Sequence, residues 1–300
     1  MPIARTEIPL SPCVLIVKTP VASRGAVAAR LAQTGRRLAG QVEAAAEEQA
    51  RTLATLHAAL EGLGVSPVTV SIDAIDARAR RALAGARLVI SVGGDGTLLA
   101  ASHWVTGAAL LGVNSAPRSS VGYLTVTRRA TLARDLARIA KGTLQPQAVT
   151  RIEVELDDKR LPPALNDVLL AHEQPAATSR YRLHLGRRAE DHRSSGLWVA
   201  TAAGSTAGIR SAGGQPMPLG DRRLQFRARE LYRPRGSREP VLECGFVEPG
   251  RELAVESAMA AGWLFLDGAR TAVRFPFGAR AIFRAAAQPL RLFADASRWA

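Results

Sequence analysis

The sequence predicts an α/β N-terminal domain with a parallel, Rossmann-like sheet, followed by a mainly antiparallel, β-rich C-terminal domain. Three observations predict it. The first part alternates continuous apolar runs with helical segments, as strands buried on both faces require. From about residue 149 the apolar residues recur at period 2, the mark of strands with one wet face. Between the apolar run Arg87–Val92 and the segment Leu98–Ser102 stands Gly93-Gly94-Asp95-Gly96-Thr97, a glycine-rich turn from strand to helix, where α/β proteins hold phosphate.

Taken in order, Cys13–Val17 reads as a buried strand. A long helical region follows. Its 3.6-residue pattern is clearest at Leu53, Leu56, Leu60 and Leu63, whereas Gly35 and Gly40 argue for two helices or a helix and a loop. Pro67–Ile72 is the second strand, Arg87–Val92 the third and Ala109–Val113 the fourth. Thr131–Lys141, with Leu132, Leu136 and Ile139 on one face, is the expected connector. The domains are expected over 1–127 and 128–300, with a C-terminal tail able to pack back on the first. Strand signals of the second domain are Arg151–Leu156, Tyr181–Leu185, Leu197–Ala200, Leu224–Arg227, Glu252–Glu256, Trp263–Leu266, Ala281–Arg284 and Leu290–Phe293, punctuated by Gly and Pro. After Ala200 comes a small-residue stretch, Thr201–Gly214. It fits either a ribose and phosphates or a helix packed tightly on a sheet.

Composition narrows the function. Three hundred residues at 47% hydrophobic content allow two cores. The formal net charge is +14, and all but three of the 40 basic residues are arginine, spread along the chain without an aromatic-interleaved or basic-tail pattern. That favours a solvated basic surface, able to attract phosphorylated ligands, over nucleic-acid binding. Cys13 and Cys244 suggest neither a disulfide nor a zinc site, and the five histidines show no metal-ligand spacing. The N-terminus lacks a signal-peptide pattern and no stretch approaches bilayer length, so a soluble cytoplasmic protein without membrane or nucleic-acid partners is expected.

In the glycine-rich turn, glycine is expected to permit φ > 0 and to let N–H groups approach an anion. Asp95 is out of place among phosphates, since a carboxylate repels them. Its presence points to proton abstraction from a hydroxyl or to holding a divalent cation.

Read together, Gly93–Thr97, Leu111-Gly112-Val113-Asn114, Leu165-Asn166-Asp167-Val168 and Gly204-Ser205-Thr206-Ala207 resemble, in that order, the NAD kinase family, whose members phosphorylate the adenosine-ribose 2′-hydroxyl of NAD. The loop Asn114–Tyr123 and Ser194-Ser195-Gly196-Leu197 are similar to the mitochondrial-type branch. The resemblance implies ATP as donor, Mg²⁺ or another divalent cation on its phosphates, NAD held between the two domains, and a homodimer or homotetramer. It implies Asp95 as general base, with Gly93, Gly94, Gly96, Thr97 and Asn114 around the nucleotides and Tyr123 closing the adenosine pocket. Asn166 and Asp167, where the family has Asn-Glu, are implied to bind ribose and adenine, and Ser205, Thr206, Ala207 and Ser211 to line the same pocket. Arg193 is implied to meet the pyrophosphate, and Ser195 stands where most bacterial members carry aspartate on the nicotinamide side. Arg118 is either a contact of the donor's phosphates or a solvated loop residue.

Two further positions depart from or qualify the pattern. Gly208 replaces the family's tyrosine, and Asp267-Gly268 reads foremost as a hairpin turn. Two rival functions remain open at this stage: a lipid or sphingoid kinase built on the same turn, and a catalytically weak NAD(P)-binding sensor.

Overall fold

The computed structural model describes residues 8–20, 30, 35–118, 120–234 and 241–299. Ser119 of the Asn114–Tyr123 loop lies outside them, as does the stretch 21–29 and 31–34 of the expected helical region. The chain divides into two compact units: Met1–Gln147 with Leu290–Asp295, and Ala148–Pro289 with Ala296–Ala300.

The first unit is built on a parallel sheet. Strands β1 (Cys13–Val17), β2 (Val68–Ser71), β3 (Leu88–Gly93) and β4 (Ala109–Asn114) form where the apolar runs predict them, in spatial order 2-1-3-4. β1 pairs in parallel with both β2 and β3, and β3 with β4. Parallel neighbours need crossovers, and helices α1 (Arg36–Glu61), α2 (Ala77–Gly85) and α3 (Asp95–Ser102) supply them. Asp76 starts α2 by accepting the Ala79 N–H on its side chain at 2.7 Å. The strand order reverses between β1 and β3, so the carboxyl end of β3, where Gly93 stands, is the expected ligand crevice of such a sheet.

Several elements differ from expectation. Gly40 lies within α1 and does not interrupt it, while Gly35 sits at its N-terminal boundary. Leu56 and Leu60 are fully buried, but Leu63 lies beyond the helix end and is exposed; Val65 takes the buried place. The division between units falls at Gln147 rather than 127, because helix α4 (Leu132–Ala140) buries Leu132, Leu136 and Ile139 in the cluster that holds Leu88, Ile90 and Leu111. Leu290–Leu292, read from its alternation as another antiparallel strand, instead pairs in parallel with β4, Leu292 opposite Leu110. Phe293 then enters the first unit's core with no exposed surface.

The second unit is a sandwich of two six-stranded antiparallel sheets. One runs in the order Arg188–Ser194, Ser179–Leu185, Glu252–Ser257, Arg280–Ala285, Ile152–Leu156, Lys159–Arg160. The other runs Cys244–Val247, Leu224–Arg229, Gly196–Ala200, Asp167–His172, Gly262–Leu266, Thr271–Arg274. Alternation at period 2 sends Val154, Leu183, Val255 and Phe283 from the first sheet, and Val168, Leu170, Val199, Phe226 and Leu264 from the second, into one shared core. The outer face of the second sheet carries Leu169, Trp198, Trp263 and Phe265. Trp263 and Phe265 stack at 6.4 Å between ring centroids.

Because Phe293 is fully buried, Phe293→Ala is expected to destabilise the first unit by about 3–5 kcal/mol. Urea unfolding of wild type and variant measures it, and a change under about 1 kcal/mol would show that the 290–295 segment does not help hold that core.

Candidate active site

In the first unit the chain leaves β3 at Gly93 and starts α3 at Asp95. Thr97 and Leu98 donate N–H bonds to the Gly94 carbonyl at 2.9 and 3.2 Å, closing the first turn. None of Gly93, Gly94 and Gly96 has a positive φ, so the expected reason for glycine does not hold here. Space is the reason instead. A Cβ at Gly93 would run into the Thr97 side chain, and one at Gly94 would meet the Ser120 hydroxyl. At Gly96 a Cβ would touch nothing within 4 Å among the described residues, which leaves that side of the helix start open to a ligand.

Asp95 is half-buried and its carboxylate is held by the facing loop. Oδ2 accepts the N–H of Tyr123 at 2.7 Å, and Oδ1 accepts those of Leu124 and Thr125 at 2.9 and 3.1 Å, with the Thr125 hydroxyl at 3.4 Å. An ionised carboxylate has about four acceptor sites, so Oδ2 keeps one for a further donor. Asn114, buried at the end of β4, braces the same loop. Its Nδ2 donates to the Ser120 carbonyl at 3.2 Å and its Oδ1 accepts the Ala116 N–H at 3.2 Å. Gly122, with φ of +69°, passes so close to the Asn114 amide that no Cβ would fit. Asn114 therefore acts by shaping the loop that holds Asp95. Arg118 is exposed on that loop.

In the second unit Asn166 and Asp167 enter the strand Asp167–His172. The turn after Ala200 folds against them. Thr201 donates from its N–H to the Asn166 carbonyl at 2.9 Å and from its hydroxyl to the Leu165 carbonyl at 2.6 Å. Gly204 packs so tightly on the Asn166 backbone that any side chain would overlap its carbonyl. Ser205 serves the turn itself: fully buried, it donates to the Ala202 carbonyl at 2.7 Å and accepts the Met217 N–H at 2.9 Å, so it is closed to a ligand. Thr206 and Ala207 are half-buried and Ser211 is exposed. The Asn166 Oδ1 is buried without a hydrogen-bond partner, an unmet acceptor of the kind a ligand donor satisfies.

Arg193 and Ser195 are not part of this cluster. They stand at the other end of the strand Gly196–Ala200, whose Ala200 pairs with Asp167, a distance of about 13 Å at the usual strand rise. Ser195 lines a cavity of about 370 Å³ there, with Trp198, Phe265 and Leu169.

The residue that sequence reasoning set aside is Asp267. It does make the hairpin turn, with φ of +53° followed by +99° at Gly268. Its carboxylate also reaches back to the strand entrance: Oδ2 accepts the Leu165 N–H at 2.8 Å, and Oδ1 those of Asn166 and Asp167 at 2.7 and 3.1 Å. Burial, reinforced by the Asp267 charge, pushes the Asp167 carboxyl up to about 7. Burial likewise lowers the pKa of Arg151, which the same Asp267 charge opposes. Among the described residues no group of three or more His, Cys, Asp or Glu side chains is placed to hold a metal ion. None of the described helices is long and apolar enough to cross a membrane.

Residues 23–144 match the model of the ATP-NAD kinase N-terminal domain. The chain is 40% identical over 204 residues to a probable NADH kinase of Oryza sativa subsp. japonica, covering 60% of this chain and 62% of that one. It is 34% identical over 213 residues to an NADH kinase of Arabidopsis thaliana, covering 60% and 64%. To an NAD kinase of Thermococcus sibiricus it is 34% identical over 139 residues, covering 46% and 48%. The chain thus spans less than two thirds of the length of these relatives. In fold it is similar to an NAD kinase from Archaeoglobus fulgidus solved in complex with ATP, with a TM-score of 0.66 at 19% identity over 96% of this chain and 95% of that one. Yeast NADH kinase complexed with NADH gives 0.64 at 15% identity, over 78% and 67%.

The raised Asp167 pKa makes stability depend on pH. Between the ordinary value of 3.8 and about 7 the folded state keeps a proton that the unfolded chain releases, so this group's contribution falls as pH rises through that window and is level above it. In melting temperatures from pH 4 to 8, the difference between Asp167→Asn and wild type should therefore shift in the variant's favour up to about pH 7. A constant difference would contradict the assignment.

Proposed function

We propose that this chain, which belongs to the NAD kinase family, transfers the terminal phosphate of ATP to the adenosine-ribose 2′-hydroxyl of NAD, making NADP. The observation that carries the reading is Asp95, a carboxylate at the start of α3, held by three loop N–H groups with one acceptor site of Oδ2 remaining. The plant NADH kinases among the relatives accord with the mitochondrial-type branch that the loops resemble.

Phosphoryl transfer is mostly positioning and charge stabilisation. In this reading Asp95 Oδ2 accepts the hydrogen bond of the 2′-hydroxyl, points its oxygen at the terminal phosphorus and takes the proton as the new P–O bond forms and the bond to ADP breaks. Fixed amides on both carboxylate oxygens keep that orientation without reorganisation. The glycine turn receives phosphate at the open side of Gly96, where the positive end of α3 adds favourable field. On the second unit the unmet Asn166 Oδ1 takes a donor of the nucleoside, and Asp167, poised near neutrality, presents a donor or an acceptor to a ribose hydroxyl. On the second unit Thr206, Ala207 and Ser211 line the adenosine, and Arg193 meets a phosphate.

The described residues build no cage for a metal. A divalent cation therefore fits as part of the donor, entering as the Mg²⁺ complex of ATP, the usual arrangement for an ion that keeps its waters and leans on phosphates. The tests of the lipid-kinase and sensor readings are the same incubation: purified protein with NAD, ATP and Mg²⁺ is expected to form NADP. Failure to do so, with NADP still bound, would replace the kinase reading with a sensor; transfer to diacylglycerol would replace it with a lipid kinase. Multiple-angle light scattering is expected to find a homodimer or homotetramer.

Asp95→Asn is expected to lower kcat by about 10²–10⁴-fold with an unchanged circular dichroism spectrum. Activity within tenfold of wild type would remove Asp95 from the base role. Adding EDTA should stop turnover and leave the melting temperature where it was. A lowered melting temperature would reveal a structural metal instead.

A further inference from the structure

The tyrosine missing at 208 has a structural counterpart. Leu197 and Val199 of the strand Gly196–Ala200 turn into the sandwich core, so Trp198 between them turns outward, half-buried. Its indole reaches across to the turn after the strand. A Cβ at Gly208 would lie 2.8 Å from Trp198 Cζ2 and 3.0 Å from Cη2, and the indole is the nearest neighbour that such a Cβ would meet. Real Cβ contacts do not fall as short as 2.8 Å, so a side chain at 208 would require the Trp198 indole to move from this position. The indole also lines the cavity of about 370 Å³ beside Leu169, Phe265, Ser195 and Arg229. It thus lies between the Asn166–Ala207 cluster at one end of its strand and Ser195 at the other.

We infer that the Trp198 indole is a stacking wall for a planar heteroaromatic ring of the nucleotide substrate, standing in the space that a side chain at 208 would otherwise take. The inference rests on the NAD kinase reading for the identity of that substrate, but its geometry is independent of it. A half-buried tryptophan on a rigid central strand loses little freedom on binding, and base–aromatic stacking tolerates any π-face. The cavity is of a size used for small ligands, and its aromatic and aliphatic walls with Ser195 and Arg229 at hand suit a ring carried on a charged, hydroxylated frame. A residue that only fills the sheet surface would affect stability and leave substrate binding alone.

The test separates these. Steady-state kinetics on the full chain would compare wild type, Trp198→Tyr, Trp198→Leu and the double variant Trp198→Leu/Gly208→Tyr, which moves the ring from the strand to the turn. Trp198→Leu is expected to raise KM for NAD by about 5–100-fold, the range that one base–aromatic stack covers, with KM for ATP within about twofold. Trp198→Tyr should stay near wild type, and the double variant should recover part of the loss. An unchanged KM for NAD in a folded Trp198→Leu protein would overturn the inference, as would a KM in Trp198→Tyr no better than in Trp198→Leu. Fluorescence supplies a readout that needs no turnover. NAD should quench tryptophan emission in wild type and lose most of that quenching in Trp198→Leu, with AMP and nicotinamide mononucleotide added separately to identify which ring stacks. Quenching by none of the three would overturn the stacking wall. If wild type makes no NADP yet NAD quenches Trp198, the kinase reading fails and the wall stands.

Discussion

Each unit of this chain depends on one carboxylate that gathers three successive backbone N–H groups. Asp95 does so for Tyr123, Leu124 and Thr125, and Asp267 for Leu165, Asn166 and Asp167. The pattern is the same in both: Oδ2 takes the first N–H and Oδ1 the second and third. Backbone donors beside a ligand site must find partners, and water is a poor one where a substrate has to displace it. A side chain 28 residues away in one case, and about 100 in the other, meets that need and fixes the segment's conformation. Charge-assisted bonds of this kind are stronger than neutral ones, so both segments are held in place by the chain itself.

The same device sets the electrostatics. Asp267 anchors the strand entrance and, by its charge, helps keep the buried Asp167 protonated toward neutrality. Asp95 spends three of its acceptor sites on the facing loop and keeps one. Close packing does the remaining positioning, because Gly93, Gly94 and Gly204 each bring backbone against a neighbour where a methyl group would collide. The residues of the candidate site are thus held by contacts that leave few of them free to reorganise.

Much of this was legible in the sequence. Continuous apolar runs such as Leu88–Val92 announce strands buried on both faces, and the alternation of Ile152–Leu156 announces a sandwich, because period and burial are local properties. What a side chain does across 100 residues leaves no local trace. Asp267-Gly268 satisfies every requirement of a hairpin turn, and nothing nearby in sequence signals the three amides that it also holds. Leu290–Leu292 is too short for its alternation to distinguish an antiparallel strand from a parallel one, and its partner β4 is separated from it in sequence by the whole Ala148–Pro289 segment. Glycine identity in the Gly93–Thr97 turn was readable, but not the cause: steric room and positive φ write the same letter. The packing of Trp198 on Gly208 was equally hidden, since a substitution on a turn and an aromatic ten residues earlier look unrelated until the fold joins them.

The strand Leu290–Leu292 has a bearing on how the protein is made. Its partner β4 emerges from the ribosome before the whole Ala148–Pro289 segment, so for on the order of ten seconds of synthesis the Ala109–Leu110 part of that sheet edge lacks its partner, while Thr127 and Arg128 already pair with Val113 and Asn114. The sandwich can form in that interval from its own core, whereas the first unit closes only when Leu292 and Phe293 arrive. The half made first therefore waits for residues near the end of the chain. An open hydrophobic edge is the period of greatest exposure to wrong partners, and in a nascent chain it is here a matter of timing rather than of final stability.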